Sequence, residues 1–322
     1  MAILLGVLSA LFFSLTFILN QMMSLSVTSW AWTASLRFLF MFPLFGLVVA
    51  FQRNNGFKKI VNAIKSDWKY WMVWSNVGFS LFYIPMCFAS TLVPAWMIAS
   101  SWQITIIAGS VIAPIIEENK DKRKKYKLSV IEILSFLLIL LGITLLELHQ
   151  ITLIRDSFLL IVSLLLMVIS AFSYPLGNRK ILKINKEKYL LNTAERILAM
   201  IVCTIPVWIV CSILGYFQSG LPSRQQLSMG FSVAFFSGFI ATYLFFYATQ
   251  RSHENFKQLS TVETTQSLEI VFTIVLGNLF LKEYITGFLA FTGIFFVLIG
   301  MIWKSLHSDV GNDIKTIDTT NN

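Results

Sequence analysis

Glu263 and Glu269 interrupt an otherwise apolar stretch of the chain and have the most chemistry to offer. Placing an ionised side chain at mid-bilayer costs at least about 2.5–3.5 kcal/mol on insertion scales, so an intramembrane carboxyl is read as functional by default. On a helix over 256–281, counted from its inner end at 1.5 Å per residue, Glu263 lies ~10 Å deep and Glu269 ~20 Å deep, near the midplane. At 100° per residue Gln266 falls angularly between the two glutamates, and Thr265 and Thr273 flank Glu269 one turn away on either side. The spacing predicts a polar stripe that holds a proton or a cationic group. The competing reading is a stripe that only bonds to neighbouring helices, as buried polar groups in membranes often do.

A second constellation, Trp102 and Gln103, sits mid-way along an apolar run over 93–115. An indole face attracts a cation by ~0.5–2 kcal/mol, and an amide beside it would fix orientation; plain packing of the Trp is the alternative. Arg37 and Arg196 lie ~12 Å and ~9 Å from their helix ends, shallow enough to snorkel or to pair with a carboxylate such as Glu147 or Glu195, and a structural role is expected for both. Glu195 and Arg196 are adjacent and cannot face each other on a helix, so their partners lie on other helices. Tyr83 and Tyr243 could line the same space, with packing or interfacial placement as the alternative. His149, His253 and His307 are scattered, and Cys87, Cys203 and Cys211 have neither CxxC nor metal-ligand spacing. No catalytic triad, metal site or cofactor is expected. There is no GxxxxGK[ST] phosphate loop, which excludes ATP hydrolysis by the usual motif.

These residues must be positioned by helices in a membrane. Of 322 residues 56% are hydrophobic and 13% charged, a balance foreign to soluble globules. The apolar residues fall into about ten runs long enough to cross ~30 Å of hydrocarbon: 2–22, 29–51, 70–89, 93–115, 128–148, 157–178, 190–214, 228–250, 256–281 and 284–303. The first lacks a basic leader and is read as a retained helix. Alternate loops carry 20 of the Lys and Arg residues against 3 on the other side, with Arg37 and Arg196 inside spans. This bias places both termini in the cytoplasm and accounts for the net charge of +9 without a nucleic-acid partner. Trp30 and Trp32 mark an outer edge; Trp68, Tyr70, Trp71 and Trp303 mark inner ones. Residues 305–322 have no apolar periodicity and read as a disordered cytoplasmic tail.

The halves 1–150 and 151–304 show ordered matches: Asn20-Gln21 with Asn178-Arg179, Arg37 with Arg196, Gly78-Phe79 and Tyr83 with Gly238-Phe239 and Tyr243, Glu117 with Glu283. Five spans in each half force opposite orientations, so the expected fold is all-α: an integral membrane protein of two inverted five-helix repeats with a site between them. On this offset Gln103 corresponds to Glu269, and the two halves present unequal charge.

The five-plus-five layout, Ser101-Trp102-Gln103-Ile104-Thr105 with Gly109 and Pro114, and Glu263-Thr264-Thr265-Gln266-Ser267-Leu268-Glu269 resemble the drug/metabolite transporter superfamily. Within its ten-helix, EamA-like branch they resemble the multidrug resistance efflux transporters. The resemblance implies a bacterial plasma-membrane exporter whose fourth and ninth spans line the path of a small organic molecule, with no enzymatic activity. A carboxyl such as Glu269, taken out of water, favours its neutral form, so a proton and a cationic cargo can compete for it in antiport. The alternatives are an amino-acid or metabolite transporter without proton coupling, a membrane-embedded transferase, or a non-transporting scaffold.

Overall fold

The computed structural model describes residues 2–26, 29–52, 55–116, 129–151, 157–252, 262, 265–282 and 287–307. Every regular element among them is helical. Span one is α1 (Ala2–Leu25) and span two α2 (Trp30–Phe51), capped by Ser29, whose hydroxyl accepts from the Ala31 amide. A short amphipathic helix, α3 (Gly56–Ser66), follows. Span three is α4 (Trp68–Ser75) and α5 (Leu81–Ala89), joined by a π-helical turn at Asn76–Ser80. Span four is α6 (Ala95–Trp102) and α7 (Ile104–Ile116); α8 (Val130–Ile151) is span five and α9 (Ser157–Ile184) span six.

Span seven, α10 (Thr193–Ser219), starts with a capping box in which Asn192 and Glu195 satisfy each other's backbone amides. Span eight is α11 (Arg224–Ser232), a π-helical stretch Val233–Ala241, and α12 (Thr242–Ser252). Spans nine and ten are α13 (Leu268–Leu281) and α14 (Phe288–His307). Seven of these helical segments are long and apolar enough to cross a bilayer, and Val130–Leu146, Leu268–Leu281 and Phe288–Lys304 add three shorter apolar helices.

Polarity is inverted relative to a soluble protein. Leu47, Phe51, Ile161, Phe217 and Phe288 are exposed, while Ser9, Thr16, Asn20, Arg37, Gln103, Glu195, Arg196 and Glu269 are buried. A bilayer makes this the low-energy arrangement, because lipid solvates the apolar rim and polar groups are satisfied inside the bundle.

The main pairings set span one against eight and nine, three and four against six, two against seven, and five against ten. Exchanging each span with the one five places away turns one–eight into six–three and one–nine into six–four, and leaves two–seven and five–ten unchanged. The irregularities follow the same exchange. Spans three and eight carry π-helical turns around Gly78 and Gly238. Spans four and nine each tighten to i→i−3 bonds: Gln103 N to Ser100 O at 3.1 Å, and Glu269 N to Gln266 O at 3.0 Å.

Glycines set the closest approaches. A Cβ on Gly177 of α9 would fall 2.2 Å from the Gly78 amide nitrogen and 2.7 Å from the Trp74 carbonyl oxygen. Backbone cannot swing aside as a side chain can, so Gly177→Ala is expected to lose about 1–3 kcal/mol of stability. Thermal melting in detergent should show it, with Gly46→Ala, whose Cβ meets nothing within 4 Å, as the control. Equal melting of the two variants would mean that spans three and six are not locked at Gly177.

The structure corrects several expectations on the inner side. The segment between spans two and three, expected as a loop, holds α3, on which Gly56, Ile60 and Ala63 are buried while Phe57, Val61 and the lysines face outward. Span six, expected to end near residue 178, runs to Ile184 and continues as a π-turn over Asn185–Tyr189, because straight-chain Arg and Lys carry a helix past the hydrocarbon edge. Arg179 is therefore helical and donates to the Gly109 carbonyl at 2.8 Å. Lys304, counted with the basic residues outside the spans, is buried in α14 and donates to Ser110 Oγ at 2.8 Å. Trp71, expected at the interface, is fully buried, whereas Trp68 is exposed. Asp67 accepts from Tyr189 and Lys188, and these bonds hold its carboxyl below the usual carboxylate range. Glu117, Glu283, the 20-residue basic count's segment 120–127 and the tail beyond residue 307 lie outside the described residues.

Candidate functional site

Glu269 lies in the first turn of α13, just beyond the tightened turn at Gln266–Ser267, and is 2% exposed. Its Oε2 has no hydrogen-bond partner. The Trp102 side chain, at the end of α6, is within hydrogen-bonding reach of the carboxylate, and Arg37 acts on it through charge. Spans four and nine therefore present Trp102 and Glu269 to each other.

An aromatic cluster extends from Trp102. Its ring centroid lies 5.1 Å from Phe82 and 5.5 Å from Tyr174, and Phe82 and Tyr174 are 4.9 Å apart. Tilted and edge-on packing of this kind aligns ring edges with neighbouring faces. Tyr174 is only partly buried, and its phenol lies in the field of Glu269, Arg37 and Arg196.

Arg37 is held on three sides. Its Nη1 donates to Thr16 Oγ1 at 3.4 Å, its Nη2 donates to Ser237 Oγ at 3.1 Å, and its guanidinium carbon lies 4.5 Å from the centroid of the Tyr83 ring. Tyr83 is fully buried and donates to Asn20 Oδ1 at 3.0 Å. Span eight is π-helical there: the Ser237 carbonyl accepts from the Thr242 amide and, at 3.1 Å, from Thr242 Oγ1, while its hydroxyl accepts from Arg37. The arginine thus ties spans one, two, three and eight together.

The other predicted residues divide. Gln103 is 1% exposed and folds back to donate to the Ala99 carbonyl at 3.0 Å, which stabilises the tightened turn rather than offering its amide to a ligand. Gln266 donates to the Gly6 carbonyl at 3.4 Å and so fastens span nine to α1, while Thr265 donates back to the Val262 carbonyl of its own span at 2.6 Å. The continuous stripe expected on one uninterrupted helix is broken at Gln266–Ser267. Thr273 is buried with no partner for its hydroxyl. Tyr243 stacks on Tyr247 at 6.0 Å and is half-buried, unlike its counterpart Tyr83. Arg196 is buried with its guanidinium 5.0 Å from the Phe246 ring centroid. Glu195 does not pair with it: that carboxylate caps α10 and lies 3.8 Å from Lys59 Nζ, a partner on another helix as adjacency required. Glu263 and the Glu147 side chain lie outside the described residues.

Sequence reasoning missed Tyr174, Phe82, Thr16 and Ser237. Asn20 had surfaced in the repeat matches, and Tyr174 precedes the mid-span Pro175, but uncharged residues in apolar runs carry no distinguishing periodicity.

A helical bundle with lipid-facing apolar residues, a buried carboxylate on span nine and an aromatic cluster drawn from spans three, four and six fits an integral membrane protein of the small-molecule transporter class. Residues 1–310 match the EmrE family, described as "Putative multidrug resistance efflux transporter", and the chain belongs to that family. It is similar to "Uncharacterized protein YjlA" of Bacillus subtilis (strain 168), 38% identical over 314 residues and 95% of each chain. It is also similar to "Uncharacterized 42.1 kDa protein in intracellular alkaline protease 3'region" of Shouchella clausii, 39% identical over 270 residues, 83% of this chain and 70% of the other. A solved crystal structure shares the fold with a TM-score of 0.68 over 97% of this chain and 99% of that one, at 13% identity.

Proposed function

We propose that this protein exports small organic molecules, cations preferred, by alternating access coupled to an inward proton gradient, with Glu269 alternately holding proton and cargo. The observation that carries this is the buried Glu269 carboxylate, with one oxygen unpartnered and Trp102 beside it, where α13 meets α6. A cargo cation would take the free oxygen and lie against the Trp102, Phe82 and Tyr174 rings. The pairing of spans, unchanged when the halves are exchanged, supports a two-repeat inverted architecture. Such an architecture can rock between two equivalent packings about a central site. Release of a proton as cargo binds, and the reverse, is sufficient for antiport without any other cofactor.

Cargo flux in proteoliposomes tests this. With an imposed proton gradient, organic cations should accumulate against their own gradient, and collapse of the proton gradient should reduce accumulation to the passive level. Accumulation indifferent to the proton gradient would overturn proton coupling, and absence of flux with hydrolysis of a lipid-linked donor would favour a transferase.

Orientation follows from the charge bias. The start of α2 and the end of α10 share one side: Ser29 Oγ donates to Gln218 Oε1 at 2.6 Å and Trp32 Nε1 donates to the Gly220 carbonyl at 3.0 Å. Reporter fusions at Gln218 and Asn322 should report outside and inside respectively. An external Asn322 would remove the odd-span inversion.

A further inference from the structure

The short helix α3 lies between the end of span two at Phe51 and the start of span three at Trp68, and so at the edge of the hydrocarbon. Its apolar residues fall on two sides. Gly56, Ile60 and Ala63 are buried against the protein, and Lys59 reaches Glu195 of α10 at 3.8 Å. Phe57 and Val61, one turn apart, are exposed, and Lys58 and Lys65 flank them on the outward side. A helix with an apolar strip facing outward and lysines along its border lies in the plane of a bilayer surface, with its apolar side chains at the acyl boundary and its lysines at the headgroups.

Charge selects the headgroup. Residues 51–75 carry Arg53, Lys58, Lys59, Lys65 and Lys69 against a single acid, Asp67. Asp67 is already engaged, by Tyr189 and by Lys188 at 2.9 Å. Just past α3 opens a groove of about 460 Å³ lined by Ser66, Asp67, Lys69 and the rings of Trp68, Tyr70 and Trp74. Lys69 Nζ stands 5.7 Å from the Trp68 ring centroid and Lys180 Nζ 5.4 Å from a Trp74 ring, so aromatic faces hold two ammonium groups at the groove.

We propose that α3 and this groove form a docking surface for anionic phospholipid, with Phe57 and Val61 in the acyl boundary, Lys58 and Lys65 at the phosphates beside them, and Lys69 at the groove. This inference is independent of Glu269 and of the cargo. The connections to spans two and three keep Phe57 and Val61 at the hydrocarbon edge, where a lipid rather than a soluble protein meets them. A zwitterionic headgroup brings its own cation against the lysines, whereas an anionic one meets only opposite charge.

Native mass spectrometry of the purified full-length protein in neutral detergent, titrated with phosphatidylglycerol or with phosphatidylcholine of the same acyl chains, tests this. The first phosphatidylglycerol should bind at least five-fold more tightly than the first phosphatidylcholine, and the preference should shrink as ammonium acetate is raised. A variant carrying Lys58→Gln, Lys65→Gln and Lys69→Gln, all at exposed positions, should bring the two lipids within two-fold of each other. Arg224→Gln with Lys282→Gln, exposed charges on the opposite side of the membrane by the charge bias, should leave the preference intact. Phe57→Ser with Val61→Ser should weaken both lipids at least three-fold. Equal binding of the two lipids to the native protein overturns the proposal, as does a preference that outlives the triple lysine variant, one lost equally in the Arg224 and Lys282 control, or binding untouched by the Phe57 and Val61 changes. Displacement of bound phosphatidylglycerol by excess glycerol 3-phosphate would make the site one for a free anion and would also overturn it.

Discussion

Glu269→Gln is expected to abolish concentrative transport. In vesicles with an imposed proton gradient, cargo accumulation should fall at least ten-fold, to the level of passive entry, while the protein still inserts in the membrane. Gln keeps the shape and most hydrogen bonding of Glu and removes the titratable charge, so a packing role would survive the change and a coupling role would not. The structure sharpens the expectation because Oε2 has no partner to lose. Energised uptake by the variant at the native rate would show the carboxylate to be a packing group. Glu263→Gln should instead weaken cargo recruitment with gradient dependence retained; an inverted result would exchange the roles of the two glutamates.

Arg37→Gln is expected to be the most destabilising single change in the bundle, and Glu269→Gln should partly rescue it. Each of Arg37's hydrogen bonds to Thr16 and Ser237 comes from a charged donor and is worth about 1.5–3 kcal/mol, and its removal also takes away the positive charge that acts on Glu269. Arg37 is 4% exposed, and its removal also leaves Thr16 and Ser237 without the charged donor they share. Neutralising Glu269 in the same chain removes the orphaned charge, so the double variant should melt above the Arg37→Gln single variant. Residues that interact through charge show such non-additivity, whereas independent sites add. Strictly additive shifts in melting temperature across the four proteins would mean that Arg37 and Glu269 do not share a field, and that the arginine is purely a tie between spans one, two, three and eight.

Much of this protein follows from local composition. Lipid excludes unsatisfied backbone, so apolar runs of about 20 residues can only be helices, and their number and order are legible without a structure. Ionisable residues in those runs are costly enough to stand out, which is how Glu269 and Arg37 could be picked from a single chain. Ser29 and the Asn192–Glu195 capping box announce helix starts by the same local logic. The five-plus-five matches were visible too, because Arg37 and Arg196, or Gly78 and Gly238, are rare enough in apolar runs to align.

Partnership was decided only in three dimensions. Nothing along the chain distinguishes Gln103, turned back on Ala99, from Gln266, which reaches across to Gly6. Nor does it show that spans four and nine tighten at Gln103 and Gln266–Ser267, or that Gly6 sits against Thr265 and Gly109 against Arg179. Tyr174 and Phe82 read as ordinary apolar-run aromatics until α9 and α5 bring them against Trp102. The two arginines look equivalent in sequence, and only packing sets one against the Thr16 and Ser237 hydroxyls and the Tyr83 ring and the other against the Phe246 ring. The physical reason is range: helix formation and membrane insertion are set by neighbouring residues, whereas pairing a buried charge requires groups hundreds of residues apart, and only the packed bundle determines which of them meet.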